Sequence, residues 1–123
     1  MIFKKAAGRH MIFFEVREIG NDLLVAVSGG DECHIGGVAV SYPTPSHYRS
    51  ATTVSLNSIT LPGHKDYIIA NSTAVTLTKA LNRPVVVTVG IHYDNVTKVE
   101  IDEIIKVVES LTNDAISHYQ KPE

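Results

Sequence analysis

Three short stretches of this 123-residue chain collect most of the side chains capable of chemistry: Cys33-His34-Ile35-Gly36-Gly37, Leu61-Pro62-Gly63-His64-Lys65-Asp66 and Gly90-Ile91-His92-Tyr93-Asp94-Asn95. In the second, Pro62 and Gly63 permit a sharp turn into a helix whose free N–H groups and positive dipole end would face an anion such as phosphate. His64 and Lys65 would add charge or hydrogen bonds there; the same residues also suit a plain helix start with a solvated His and Lys. In the third, His92 could bind a ligand or shuttle a proton, while Asp94 and Asn95 serve a turn equally well. Gly36-Gly37 allows either close backbone approach to a ligand or a β-bulge, and the bulge is the simpler account.

Enzyme signatures do not assemble from these residues. His34, His64 and His92 lack the short paired spacing of a zinc site, so no metal is assigned. Cys33 and His34 are neighbours in an extended segment and point to opposite faces, so the thiol reads as small and semi-buried rather than activated. Ser28-Gly29-Gly30 is no nucleophile elbow, and the glycine pairs make no dinucleotide fingerprint. The chain therefore reads as non-catalytic. A small hydrolase or isomerase using His92 and Asp94 stays open as a minor alternative, because fold alone does not decide function.

The elements that position these stretches follow from periodicity. Ile12, Phe14 and Val16 alternate with Phe13, Glu15 and Arg17, a period of two, and Gly20-Asn21-Asp22 then leads into Leu23 to Val27, which predicts a hairpin. A third strand is expected over Val38 to Tyr42 after the turn-rich Ser28 to Glu32, an exposed loop over Pro43 to Ser50, and a fourth strand near Thr52 to Ile59. Tyr67, Ala70, Ala74, Leu77 and Leu81 then recur at helical spacing, and the helix should stop at Asn82 before Pro84. Val85 to Val89 is β-branched throughout, as suits a central strand covered on both faces by helices or by a partner subunit. Thr97 with Glu100 has the spacing of a capping box and opens a last helix, with Ile101, Ile104, Ile105, Val108, Leu111, Ala115 and Ile116 on one face. The sum is an α+β two-layer sandwich, about five mostly antiparallel strands with two helices on one sheet face.

Composition bounds the partners. One domain spanning residues 1–123 is expected, with 1–11 read as a flexible or added segment. A single cysteine points to a reducing, cytoplasmic setting. The net charge of −2 gives no electrostatic case for nucleic acid or an anionic membrane, and no apolar run or leader in the sequence points to a bilayer.

The segments His34-Ile35-Gly36-Gly37-Val38-Ala39, Leu61-Pro62-Gly63-His64-Lys65-Asp66 and Gly90-Ile91-His92-Tyr93-Asp94-Asn95-Val96-Thr97-Lys98, in this order and separation, resemble the LpdD-like family over about residues 12–117. That resemblance implies an accessory protein of gallate-type and other UbiD-like decarboxylases. Such a protein holds prenylated flavin mononucleotide, or plain flavin mononucleotide, between the flavin prenyltransferase that makes it and the decarboxylase that uses it. On that expectation the phosphate sits at Gly63, His64 and Lys65, and the ring in an apolar slot near the Tyr42 to Arg49 loop, with Tyr93 or Tyr42 stacking. His92 and Asp94 face the ring edge, and His34 and Gly36 complete the candidate set. In topology the chain is also similar to the dimeric proteasome-assembly chaperones, which act through protein surfaces. Two helices cover only one face of such a sheet, so a homodimer is expected, with the second face or an edge buried between subunits.

Overall fold

The computed structural model describes residues 1–45, 52–62 and 65–120. Strands β1 (Ile2–Ala7), β2 (His10–Ile19), β3 (Asp22–Gly30), β4 (Glu32–Pro45) and β5 (Thr52–Thr60) precede helix α1 (Tyr67–Leu81), strand β6 (Val85–His92) and helix α2 (Lys98–Tyr119). The six strands form one sheet in the order β1-β2-β3-β6-β4-β5. β6 slots between β3, which it joins in parallel, and β4, which it joins antiparallel; the other neighbours are antiparallel.

The register sets the core. Phe14, Val27 and Val89 stand in one row and Val16, Val25, Val87 and Ala39 in the next, all buried beneath the helices. Ala70, Ala74 and Leu77 of α1 and Ile104, Val108, Leu111 and Ala115 of α2 close over them. Full burial of side chains such as Phe14 or Leu111 stabilises by about 1.5–3 kcal/mol each. The two alanines bring α1 close enough for Ser41 Oγ to donate to Ala74 O at 2.6 Å and to meet Thr78 Oγ1, which satisfies the polar groups in that apolar layer. Both helix ends follow the sequence signals. Asn82 closes α1 in the left-handed conformation, and Thr97 and Glu100 form a reciprocal capping box on α2.

The structure departs from the expectations at several points. There are six strands rather than about five. Residues 1–11, expected to be flexible, hold β1 and the start of β2, where Lys4 and Lys5 make a strand look like a polar tail; β1 pairs with β2, and Lys5 reaches Asp114 of α2 at 2.9 Å. β4 is far longer than Val38 to Tyr42. It begins at Glu32, absorbs a register shift between Cys33 and Gly37, and continues to Pro45, so residues 43–45 are strand rather than loop. Residues 46–50 of the expected loop lie outside the described residues. Ile101 and Ile105 are not core: they are 43% and 37% exposed, because the buried face of α2 is narrower than its aliphatic face. Cys33 is exposed, carried by the irregular start of β4. Val85, Val87 and Val89 are covered by the helices, whereas Val86 points to the uncovered face.

Gly90 marks where backbones approach most closely. A Cβ there would fall 1.6 Å from the carbonyl oxygen of His34, an overlap that only backbone displacement can relieve. Gly90→Ala should therefore lower the urea midpoint by the equivalent of ~3 kcal/mol, the upper range of overpacking costs. Gly20, with φ of +60° and open space around its missing Cβ, should lose only about 1 kcal/mol on change to alanine. Equal midpoint shifts in the two variants would show that the close approach at Gly90 is not a constraint.

Candidate functional site

The β4 start, the α1 start and the β6 end, far apart in sequence, meet around one carboxylate. Asp66 precedes α1, and its side chain is 10% exposed. Rather than capping its own helix, it reaches sideways. Oδ1 accepts from the backbone N–H of Ile91 at 3.2 Å, and Oδ2 lies 3.2 Å from His34 Nε2. Gly36 leaves the room for this: a Cβ there would sit 2.0 Å from Asp66 Oδ2. Gly37 does the same beneath Tyr67, where a Cβ would lie 2.6 Å from the backbone nitrogen. The glycine pair thus serves close approach of α1 to the bulged strand, and a protein carboxylate occupies the space over Gly36.

A second polar knot locks the loop after β6. Asp31, in the β3–β4 turn, donates its backbone N–H to His92 O at 2.7 Å, and its Oδ2 accepts from the Asp94 N–H at 2.7 Å. His10 Nε2 lies 3.2 Å from Asp31 Oδ1, off the line of a hydrogen bond. The Asp94 N–H, with help from His10 and Arg9, holds the Asp31 carboxyl below its ordinary value despite partial desolvation. Arg9, from the β1–β2 turn, donates to Glu100 Oε2 at 2.8 Å and to the Asp94 carbonyl, and its guanidinium lies 5.3 Å from the Tyr93 ring centre. The hydrogen bond from Arg9 is the main cause that depresses the Glu100 carboxyl. Tyr93 is buried, packed edge-on against His10, and donates its hydroxyl to Ala7 O at 2.5 Å; burial raises its pKa.

Between the two knots lies a slot of about 370 Å³. Its walls are aliphatic: Ile68 and Ile69 from α1, Ile91 from β6, Val96 from the loop, and Ile101, Ile104 and Ile105 from α2. Lys65, Asp66, His92 and Tyr93 supply its polar edge. Lys65 is exposed and has no carboxylate partner among the described residues. His92, also exposed, is oriented by Asp94 Oδ1 at 3.1 Å.

Of the residues singled out in the sequence, Lys65, His92 and Tyr93 line this slot. Asp94 stands behind His92, and His34 and Gly36 act on Asp66. Gly63 and His64 lie outside the described residues. Tyr42 belongs elsewhere, exposed on the uncovered sheet face and outside the slot lining, and Tyr93 is buried and held edge-on with its hydroxyl engaged. Sequence reasoning passed over Asp66, Asp31 and Arg9. Asp66 had a signal, since an Asp directly before a helical stripe is a helix-start residue; Asp31 and Arg9 lie in turns whose partners come from elements distant in sequence. Among the described residues no cluster of His, Cys, Asp or Glu is arranged to hold a metal, and no helix is long and apolar enough to cross a membrane.

The domain with this two-layer fold and aliphatic slot is an accessory chaperone. The chain belongs to the prenylated flavin chaperone LpdD-like domain family, whose model matches residues 6–120. It is 32% identical over 102 residues to Protein LpdD of Lactiplantibacillus plantarum, covering 83% of this chain and 72% of that protein. A crystal structure of a chaperone complex for yeast 20S proteasome assembly shares the fold at a TM-score of 0.60 and 14% identity, over 98% of this chain and 96% of that one. The family is one of chaperones, in keeping with a non-catalytic role.

The Asp31 knot predicts an acid-sensitive loop. Its carboxyl titrates lower in the folded protein than the ordinary 3.8, so its contribution is full above that value and is lost as pH falls through the folded-state value. The melting temperature of wild type should exceed that of Asp31→Asn at neutral pH, and the gap should close in acid below the ordinary carboxylate value. A gap independent of pH would mean that the charge on Asp31 does not hold the loop.

Proposed function

We propose that the protein holds prenylated flavin mononucleotide, or flavin mononucleotide itself, and passes it to a UbiD-like decarboxylase after receiving it from the prenyltransferase that makes it. The observation that carries this reading is the aliphatic slot between the starts of α1 and α2 with Lys65 and His92 at its edge. Its volume of about 370 Å³ falls in the range of small-molecule sites. A flat, largely apolar ring system suits walls made of isoleucine and valine, which exclude water without reacting. The phosphate dianion belongs at the exposed Lys65 ammonium rather than deep against the α1 start, because the buried Asp66 carboxylate already faces that end and would repel it. His92, held by Asp94, then stands at the ring edge as a hydrogen-bonding group.

Protection and release need no nucleophile, and the aliphatic walls leave the bound group chemically intact. A cytoplasmic setting suits this role, since a reducing compartment keeps the exposed Cys33 a free thiol. The second reading, a protein-assembly chaperone acting through its surface, has only the shared fold behind it.

Titration of flavin mononucleotide and riboflavin against three proteins tests the site. Ile101→Trp, which fills the slot from an exposed position, should weaken both ligands at least tenfold. Lys65→Glu should weaken flavin mononucleotide about tenfold or more and leave riboflavin unchanged, as a charge-assisted contact is worth about 1.5–3 kcal/mol. In a coupled assay, wild type should raise the yield of active UbiD-like decarboxylase from apo-enzyme and prenylated flavin, and His92→Ala should lower that gain. Affinities indifferent to both substitutions, with an unchanged decarboxylase yield, would remove this reading.

A further inference from the structure

The sheet ends on two unequal edges, β1 on one side and β5 on the other. An edge strand carries a row of unpaired N–H and C=O groups, and chains ordinarily blunt it with lysine, proline, a bulge or short length. β1 is blunted: it is six residues long, carries Lys4 and Lys5, and is tied to α2 through Lys5 and Asp114. β5 is not. Its nine residues, from Thr52 to Thr60, include no charge, proline or glycine, and they pair with Pro45 to Gly37 of β4 without a break in register. Among the described residues no strand lies against its outer side.

Alternation fixes which groups stand free. The Leu61 N–H donates to Gly36 O at 3.0 Å, so the hydrogen-bonded pairs of the β4–β5 ladder are Ile59 with Val38, Asn57 with Val40 and Ser55 with Tyr42. The main-chain groups of Val54, Leu56, Ser58 and Thr60 therefore point away from the sheet. Leu56 shares the helix face with buried Ser41, and Ile59 shares the opposite face with Val38; they are 40% and 64% exposed. The edge thus offers a row of main-chain donors and acceptors with an aliphatic side chain on each face.

We propose that β5 is a docking edge that receives an extended, uncharged segment of a partner protein as a seventh strand. The unpaired main chain decides the form of the occupant, because only another extended backbone matches N–H and C=O groups that recur at every second residue. Composition decides its chemistry. A charged segment would find no counter-ion on β5, whereas valine, isoleucine or threonine side chains would pack beside Leu56 and Ile59 as cross-strand neighbours. A second copy fits this edge poorly: β5 against β5 would make one continuous sheet of twelve strands, beyond the ~10 that twisted open sheets sustain. One added strand makes seven. β5 contributes nothing to the lining of the slot between α1 and α2, so a segment docked on it leaves ligand access untouched.

The probe is a capped, fluorophore-labelled Val-Thr repeat peptide as long as β5. Wild type should bind it, read as a rise in fluorescence anisotropy, and a Lys-Thr repeat of the same length should bind about tenfold or more weakly. Ser58→Pro removes an outward N–H and spares the ladder to β4, so it should weaken the Val-Thr peptide about tenfold or more with little change in melting temperature. Leu56→Lys keeps the main chain and sets a charge at the edge; it should weaken the peptide likewise, and it carries the test should Ser58→Pro fail to fold. In amide hydrogen exchange of the free protein, Val54, Leu56, Ser58 and Thr60 should exchange faster than Ser55, Asn57 and Ile59, and the peptide should slow the first set. No binding by wild type, binding that survives both substitutions, or protection that appears away from β5 would overturn the proposal. So would self-association of wild type that Ser58→Pro abolishes, since the edge would then belong to a second copy.

Discussion

The Asp66 carboxylate fixes where the rest of the structure can be. It binds the Ile91 N–H at the end of the central strand and His34 at the start of β4, and so pins the beginning of α1 across two strands at once. A carboxylate this buried is tolerable only with its lone pairs engaged, and engagement demands that neighbouring backbones come very near. Gly36, Gly37 and Gly90 are bare at the points where that approach occurs. Position of the helix, path of the bulged strand and shape of the slot are therefore one solution to one constraint, not three independent features.

The division of labour along α2 follows. Its aliphatic residues span more of the helix than the sheet can cover. Ile104, Val108, Leu111 and Ala115 take the core, and Ile101 and Ile105 are left over at the slot. The surplus lines the slot, since burying all of it would require α1 and α2 to close together and would abolish the cavity. The Arg9 contacts with Glu100 and with the Asp94 carbonyl hold the opposite wall in place, fixing the loop without adding side-chain bulk inside the slot.

Much of this fold was legible because local rules and tertiary structure agree. The β2–β3 hairpin, the stop of α1 at Asn82 and the Thr97–Glu100 box depend on residues near one another in sequence, and each was read correctly. Central placement of Val85 to Val89 was visible in its β-branched run. Strand β1 was not visible: an edge strand with adjacent lysines has a weak alternation signal, and its support comes from Asp114 and Ser110 of α2, far along the chain. The length of β4 was hidden by its bulge, which breaks the period of two where the strand starts. Three motifs stood out in the sequence, but how they lie relative to one another did not. That Tyr93 points its hydroxyl at Ala7 and Asp31 holds Asp94 depends on pairings that no local pattern encodes.

The insertion of β6 between β3 and β4 has a consequence in time. β3 and β4 are consecutive, yet neither can pair along its inner edge until residues 85–92 arrive, and Val25 must wait for Val87. During synthesis, the β1–β2–β3 meander stands with an apolar, unpaired strand edge while α1 is still emerging. Loop closure over such separations makes folding slow and leaves that edge open to misassociation. Nascent chains should thus need shielding of their own before they can shield anything else, and synthesis at reduced temperature or with holding chaperones present should favour soluble product.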